Sequence, residues 1–233
     1  KDGDIDVAFA AQGGTGIRGV GWFENDGSQN FTGRTAGAPE YAQSVYPIDI
    51  DEDGDIDLLS ASSSDDRIDW YEATGSAGAQ IFSTDAKSID TSADGAKKVF
   101  AIDVDRDGDI DVLSSSGVGD EIAWYENNGS ESFTKHSITD EADGAVGLYA
   151  IDLDQDGDID VLSTSEIDNK INWYENDGSQ SFTTHTITSS YHDPYDVIAL
   201  DLDQDGDMDV LTANYSGENS VWFENNGSES FTS

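Results

Sequence analysis

The chain has 233 residues, of which 36% are hydrophobic, 50 are acidic and only 10 are basic, so its formal net charge is −40. This charge repels nucleic-acid phosphates and anionic membranes, and it attracts cations. The absence of cysteine excludes disulfides, thiolate metal sites and a cysteine nucleophile. No apolar run reaches the roughly 18 residues of a membrane-spanning helix, so we expect no membrane insertion and no nucleic-acid partner.

The chain begins inside a repeated motif, at Lys1-Asp2-Gly3, and no secretory signal peptide is visible within it. We therefore expect further residues upstream. The motif, DGD(I/M)D, occurs five times with spacings of 51, 54, 49 and 49 residues between its glycines, which are Gly3, Gly54, Gly108, Gly157 and Gly206. A second string, W(F/Y)E, keeps a similar period and starts at Trp22, Trp70, Trp124, Trp173 and Trp222. Two markers with one period indicate a repeat architecture.

The unit from 149 to 188 is the most regular, and it predicts four short strands at 149–153, 159–164, 170–175 and 181–187. These segments are rich in β-branched and aromatic residues, which strands favour. The third and fourth strands are joined by Asn-(Asp/Asn)-Gly at 25–27, 127–129, 176–178 and 225–227. Such sequences are typical of tight hairpin turns because they accept positive φ angles. The second unit differs from this turn pattern, because it has Ala-Thr-Gly at 73–75 followed by a longer insertion.

Four antiparallel strands in each unit of about 40–50 residues are typical of a β-propeller blade. We predict an all-β, single repeat domain over 1–233, with blades at 1–34 (lacking its first strand), 35–88, 89–138, 139–188 and 189–233. A β-solenoid is the main alternative, although its repeats are usually shorter. Three arrangements of the blades remain open, in order of preference: part of a larger propeller in a longer chain, a five-bladed ring, and an open stack in a fibre.

The loop between the first two strands predicts a calcium site, because it reads D-x-D-x-D-G-x-x-D and resembles the first nine positions of an EF-hand loop. In the second unit, positions one, three and five are aspartates, Gly54 permits the sharp turn, and Asp55 offers its backbone carbonyl. Ile56 is expected to point into the core, and Asp57 to add a carboxylate directly or through water. The position-twelve glutamate of an EF-hand is replaced by Ser60, Ser114, Ser163 and Thr212, so only the loop is shared. A solvated acidic turn is the alternative.

Hard carboxylate oxygens favour Ca²⁺ over thiolate-preferring metals, and we expect about four calcium ions. A fifth loop retains only Asp2, Asp4 and Asp6 of its aspartates and is not expected to bind. The predicted ligands in the four complete loops are Asp49, Asp51, Asp53, Asp55 and Asp57; Asp103, Asp105, Asp107, Asp109 and Asp111; Asp152, Asp154, Asp156, Asp158 and Asp160; and Asp201, Asp203, Asp205, Asp207 and Asp209.

Together, the loop motif and the blade length resemble the FG-GAP/VCBS repeat family, to which the calcium-binding blades of integrin alpha-chain propellers also belong. The W-Y-E-N-(D/N)-G-S string is similar to a subtype common in large secreted bacterial proteins. The resemblance implies a propeller with calcium loops on one face, located outside the cell or on its surface. It also implies roles in adhesion, carbohydrate binding or scaffolding, and in some members polysaccharide lyase activity.

Other side chains offer weaker candidates. His136 and His185 occupy equivalent repeat positions and are expected to serve the blade, whereas His192 lies in a non-repeated loop with Tyr191 and Tyr195. The tryptophans at fixed positions are expected in the core. Sugar contacts would more readily use variable loop aromatics, namely Tyr41, Tyr46, Tyr191 and Tyr215. Candidate glycosylation acceptors in N-x-S/T sequons are Asn30, Asn128, Asn214 and Asn226.

Three functions are therefore compatible with the sequence. The first is a non-enzymatic adhesion module, stiffened by calcium, that binds a glycan or an extracellular protein. The second is the propeller part of a polysaccharide lyase, which the scarcity of basic residues makes less favourable. The third is a structural subunit that self-associates into a surface layer or filament.

Overall fold

The fold is an all-β array of five antiparallel sheets. It is seen in a computed structural model that describes residues 3–13, 18–74, 81–83, 85–215 and 220–233. The strands are, in chain order, β1 (Val7–Ala11), β2 (Gly19–Asn25), β3 (Phe31–Gly37), β4 (Ala42–Ile48), β5 (Asp57–Ser62), β6 (Arg67–Tyr71), β7 (Lys87–Asp90), β8 (Ala96–Ile102), β9 (Asp111–Ser116), β10 (Glu121–Asn127), β11 (Phe133–Thr139), β12 (Ala145–Ile151), β13 (Asp160–Ser165), β14 (Lys170–Asn176), β15 (Phe182–Thr188), β16 (Pro194–Leu200), β17 (Asp209–Asn214), β18 (Val221–Asn225) and β19 (Phe231–Thr232).

Each sheet is a meander of consecutive strands. Sheet 1 contains β1–β3, sheet 2 β4–β7, sheet 3 β8–β11, sheet 4 β12–β15 and sheet 5 β16–β19. Sheet 1 has three strands and the other four sheets have four, which agrees with a first blade that lacks its first strand. The first strand of the most regular unit begins earlier than expected, at Ala145 rather than at 149. Its added residues are buried, and Ser115 of the neighbouring sheet donates to Val146 O at 2.7 Å.

The core lies between successive sheets, in four apolar clusters. Trp22, Trp70, Trp124 and Trp173 are buried, as predicted for a core position, whereas Trp222 in sheet 5 is half-buried. The second strands of sheets 2, 3 and 4 are buried along their whole length. A strand with both faces buried is what stacked propeller blades require, because each sheet packs on two neighbours.

The first strands of sheets 2–5 and β1 of sheet 1 contact one another in succession, so they form the innermost layer. Tyr46, Phe100 and Tyr149 stack along this layer, with ring centroids 5.0 and 5.3 Å apart. Tyr46 therefore belongs to a packed strand, and its assignment to a variable binding loop is wrong. No helix in the described part of the chain has the length and hydropathy needed to cross a membrane.

Candidate calcium sites and their relatives

The acidic loops connect the first and second strands of sheets 2–5, so all four lie at the same end of the sheets. Their backbones share a left-handed turn at the motif glycine, with φ of 90°, 103°, 107° and 104° at Gly54, Gly108, Gly157 and Gly206. This is the conformation that glycine adopts without steric cost. The fold thus confirms the role predicted for the glycine of the motif.

The short aspartate side chains hold each loop in shape by accepting hydrogen bonds from its own backbone. In the loop of sheet 3, Gly108 N donates to Asp103 Oδ2 at 3.1 Å and Asp107 N donates to Asp105 Oδ1 at 3.1 Å. Asp109 N donates to Asp107 Oδ1 at 2.9 Å. The loops of sheets 2 and 5 repeat all three bonds. One oxygen of each carboxylate accepts a hydrogen bond from the loop backbone, which leaves the other oxygen available to a cation.

The position-one aspartates carry the clearest sign of a metal. In all four loops their Oδ1 atom is buried and has no hydrogen-bond partner among the described residues; these are Asp49, Asp103, Asp152 and Asp201. An ionised oxygen without a partner is costly to bury, and the same oxygen is left without one in all four loops. A hard cation coordinated by that oxygen removes the cost.

Carboxylate oxygens also converge in each loop, and the position-one aspartate is always among them. One oxygen from each of three aspartates comes within 4.8 Å of the others in every loop: Asp49, Asp51 and Asp53; Asp103, Asp105 and Asp111; Asp152, Asp154 and Asp160; and Asp201, Asp203 and Asp209. Three close carboxylates repel one another unless a cation lies between them. The donor set is all oxygen, which fits Ca²⁺, and the residues present therefore fit the predicted ion.

The position-nine aspartates form the buried base of each loop. Asp111 accepts hydrogen bonds from Val104 N at 3.0 Å and from Asn127 N at 2.8 Å, and Asp57, Asp160 and Asp209 make the equivalent pairs. Burial raises the pKa of Asp57 and Asp111 to about 6 and the pKa of Asp160 to about 7. Because two amide hydrogen bonds already hold each carboxylate, this aspartate orients the loop and offers the cation its remaining lone pairs.

The side chains at position seven lie away from the converging oxygens and against the hairpin turn of the same sheet. A Cβ built on Gly129, Gly178 or Gly227 would lie 2.5 Å from an Oδ2 atom of Asp109, Asp158 or Asp207, respectively. This placement is compatible with a position seven that acts through its backbone carbonyl, which stays a prediction. Asp55 lies at the same place in the motif.

An asparagine that the motif did not predict as part of the site clamps the loop. In sheet 4, Asn176 is 1% exposed, its Nδ2 donates to Ile159 O at 3.1 Å and its Oδ1 accepts from Gly178 N at 3.2 Å. Asn25, Asn127 and Asn225 make the same pair of bonds. Its repetition beside every complete hairpin turn was the available signal.

The expectation that Ile56 points into the core is wrong, because this side chain is 45% exposed. The equivalent Ile110, Ile159 and Met208 are partly buried against a core cluster. Sheet 2 has Ala73 in place of the clamping asparagine, so the carbonyl of Ile56 lacks that amide donor.

The remaining candidates are dispersed. His136 and His185 stack on Trp124 and Trp173 with centroids 4.7 and 4.6 Å apart, which confirms that they serve the blade. His192 lies 3.2 Å from Asn169, whereas Tyr191 packs on Phe223 and Tyr195 on Tyr215. These three side chains of the non-repeated loop therefore contact three different neighbours.

Other predicted positions fall as follows. Tyr41 and Tyr215 are 53% and 77% exposed. Among the sequons, Asn30, Asn128 and Asn226 are exposed, and Asn214 is half-buried with its Nδ2 donating to His192 O at 2.6 Å; glycosylation stays a prediction. Asp2 of the partial loop and Gly75 of the irregular turn lie outside the described residues.

The family model for the FG-GAP-like repeat matches four overlapping stretches, at 1–60, 49–114, 103–163 and 152–212. The chain belongs to the FG-GAP-like repeat family. The last three matches each begin at the start of one acidic loop, pass through the next acidic loop, and end in the strand that directly follows it. The family unit therefore has the same period as the loops. No curated protein matches the chain.

Several solved structures share the fold. A lectin from Agrocybe aegerita that recognises non-reducing terminal N-acetylglucosamine has a TM-score of 0.60 and 18% identity, over 97% of this chain and 65% of that one. A putative 6-phosphogluconolactonase from Bacteroides fragilis has a TM-score of 0.63 and 13% identity, over 91% of this chain and 62% of that one. The chain is therefore a β-propeller array, and it spans less than two thirds of the length of these neighbours.

Proposed function

We propose that this chain is an extracellular, calcium-stabilised β-propeller module that binds a glycan and has no catalytic activity of its own. The observation that carries the proposal is the fourfold repetition of a buried, unpartnered aspartate oxygen among converging carboxylates. Millimolar extracellular calcium would saturate such loops, and a cation in each would fix the end of every sheet.

A surface separate from the calcium loops is left for recognition. Tyr215 and Tyr195 pack together with ring centroids 5.5 Å apart and remain 77% and 43% exposed. They lie at the end of sheet 5 opposite its acidic loop, since Tyr195 begins the strand whose far end leads into Asp201. Exposed aromatic rings on a rigid scaffold are suited to contacts with sugars. The lectin neighbour offers a precedent for the fold alone.

The contacts favour this function over the two alternatives. A lyase would need a convergent acid and base, and His192 and Tyr191 point to different neighbours. A filament subunit would need an extensive apolar face for chain-to-chain contact. Exposed apolar side chains occur on all five sheets and include Val7 and Phe31 of sheet 1 and Ile198 of sheet 5, and self-association through the two end sheets is the second candidate.

The first test is a thermal melt of the purified chain, stripped of metal and then with saturating calcium, with bound calcium counted by elemental analysis. At calcium about 100-fold above its dissociation constant, each ion adds about 2.7 kcal/mol to the free energy of unfolding. For a domain of this size each kcal/mol raises Tm by roughly 2–4 °C, so we expect four ions and a shift of at least about 20 °C. An unchanged melt would contradict the calcium role.

The second test is a glycan array probed with the calcium-loaded chain. Binding to a defined set of glycans, reduced by Tyr215→Ala and retained by Tyr41→Ala as the matched exposed control, would support recognition at sheet 5. Sedimentation at several concentrations distinguishes the filament alternative, since a self-associating chain grows in mass with concentration.

A further inference from the structure

One lysine of this acidic chain stands apart from the other basic side chains. Ion pairs with aspartate or glutamate engage Arg34, Arg67, Lys87, Lys98, Arg106, Lys135 and Lys170, and Arg18 also interacts with a neighbour. Within the described ranges, Lys97 is the basic residue without a carboxylate at ion-pair distance. A half-buried lysine without a carboxylate partner, in a chain with 50 acidic residues, leaves its ammonium available to an external anion.

Lys97 lines a cavity of about 350 Å³ at the centre of the array. All five sheets contribute to its wall, through Phe9, Gln43, Lys97, Val146 and Tyr195, among other residues. This volume lies in the usual range of ligand pockets, about 300–1,000 Å³, and the mixture of aromatic and polar walls is also typical of them.

The local charge of the cavity is positive although the chain is strongly negative. Its charged lining residues are Lys97, Lys98 and Asp196, and Lys98 is ion-paired with Asp196. The ammonium of Lys97 is therefore the uncompensated charge. Its aliphatic stem lies against Gly117, where an added Cβ would come within 3.0 Å of Cε, so the side chain is held along the end of its own sheet.

The acidic loops lie too far away to cancel this charge. Lys97 is the second residue of β8, and the loop of that sheet begins after Ile102 at the other end of the strand. At about 3.3 Å per residue, the intervening backbone spans roughly 17–20 Å, which is about twice the Debye length of about 8 Å at physiological ionic strength.

We propose that this central cavity binds a uronic acid residue of an acidic glycan, with its carboxylate on Lys97 and its sugar ring against Tyr195. The ammonium supplies a charge-assisted hydrogen bond, and the tyrosine, which is 43% exposed, offers an aromatic ring on the wall of the same cavity. The inference rests on the proposed glycan-binding function and names the class of sugar.

The test is isothermal titration of the calcium-saturated chain with digalacturonate, and with digalactose as the uncharged disaccharide. We expect Lys97→Met, which keeps the aliphatic stem, to weaken digalacturonate binding at least tenfold, and Lys97→Arg to retain most of it. The matched control is Lys170→Met, because Lys170 is paired with Asp168 on the surface; its affinity for digalacturonate should not change. Digalactose should bind at least tenfold more weakly than digalacturonate.

Three results would overturn the inference. The first is wild-type protein that fails to bind digalacturonate. The second is a Lys97→Met variant, folded by its melt, with wild-type affinity. The third is uronate binding that is lost in Asp154→Ala and kept in Lys97→Met, because this would place the sugar carboxylate on loop calcium. If a neutral glycan still binds on the array, the proposed function stands while the uronate site falls; if no glycan of any kind binds, both fail.

Discussion

The aspartates at different positions of the acidic loops have different surroundings and different roles. Position one keeps a buried oxygen without a hydrogen-bond partner, position nine is held by two backbone amides, and position seven lies against the hairpin turn. Equal charge in the motif therefore does not mean equal contribution to the ion.

This division predicts different outcomes for two substitutions in one loop. Asp154→Ala removes a converging carboxylate and should lower bound calcium from four ions to three per chain. Asp158→Asn keeps the backbone carbonyl and the size of the side chain, and should retain four. Elemental analysis of the protein peak measures both, after gel filtration at the saturating calcium concentration of the melt and with the calcium of the column buffer subtracted. Loss of the ion in Asp158→Asn would assign its carboxylate to the metal.

The loops are expected to bind independently. Neighbouring loops touch through single side chains, as in the ion pair between Arg106 and Asp158 at 3.4 Å and the hydrogen bond from Gln155 to Gly206 O. An exposed ion pair contributes about 0–1 kcal/mol, which is small beside calcium binding. Loss of all four ions in Asp154→Ala would contradict this independence.

The buried position-nine aspartates predict the pH dependence of the calcium-free protein. Burial raises the pKa values of Asp57 and Asp111 to about 6 and of Asp160 to about 7, above the 3.8 of an exposed aspartate. The folded state thus binds more protons than the unfolded state between about pH 4 and 7, and its stability falls as pH rises through that window. Metal-stripped protein should melt higher at pH 5 than at pH 8.

With calcium bound, the protein should instead melt higher at pH 8 than at pH 5. The reason is that the ion binds ionised carboxylates, so its affinity falls in acid. The measurement is Tm against pH on resin-stripped protein, without a chelator whose own affinity changes with pH. An Asp57→Asn, Asp111→Asn, Asp160→Asn variant should show a flatter profile in the absence of calcium. A stripped wild-type chain that is more stable at pH 8 would contradict the assignment.

At the scale of the element, the hairpin between the third and fourth strands supports the loop between the first and second. The turn asparagine bridges them, because its backbone N–H binds the position-nine aspartate and its side chain binds the position-eight carbonyl. A tight turn thus forms part of the candidate calcium site.

Asn176→Ala should therefore cost about 1–3 kcal/mol, the usual penalty for buried polar groups that lose their partners, and should weaken calcium at the loop of sheet 4. The control is Asp177→Asn in the same turn, because Asn128 and Asn226 occupy that place in sheets 3 and 5. Denaturant unfolding in saturating calcium measures the change. Equal stability of the two variants would show that the clamp contributes nothing.

At the scale of the molecule, equivalent residues differ according to whether another sheet covers them. Position two of the loop is 2% exposed at Ile50 and Val104 and 1% at Leu153, but 42% at Leu202 in sheet 5. The innermost position of Tyr46, Phe100 and Tyr149 is taken by Ile198, which is 40% exposed. Sheet 5 thus presents the apolar positions that a neighbouring sheet covers in the other blades, but no further sheet of the described chain packs on them.

This contrast predicts unequal costs for one substitution. Leu153→Ala opens a cavity between sheets 4 and 5 and should lower the free energy of unfolding by about 2–5 kcal/mol. Leu202→Ala removes a side chain that is nearly half exposed and should cost less than about 1 kcal/mol. Denaturant unfolding at matched protein concentration measures both. Comparable losses would show that Leu202 is covered in solution, for example by a second copy.

Much of this protein follows from the sequence alone. The period, the turn asparagine–glycine pairs and the D-x-D-x-D-G-x-x-D loops predicted five units, the propeller class and the oxygen-rich cation sites, because each depends on residues close in the chain. Local backbone conformation, such as the positive φ of Gly157, is likewise determined by neighbouring residues in the sequence.

Contacts between distant segments required the tertiary structure. Only the packing of sheets showed that Tyr46 belongs to a strand stack, that Ile56 is exposed and that Asn176 clamps a loop 17 residues earlier. The solitary ammonium of Lys97 was equally invisible, since its surroundings are assembled from five sheets. A periodic sequence determines the local structure that each unit repeats. The burial and the charge environment of a residue at the edge of a unit depend instead on which neighbouring sheet packs against it.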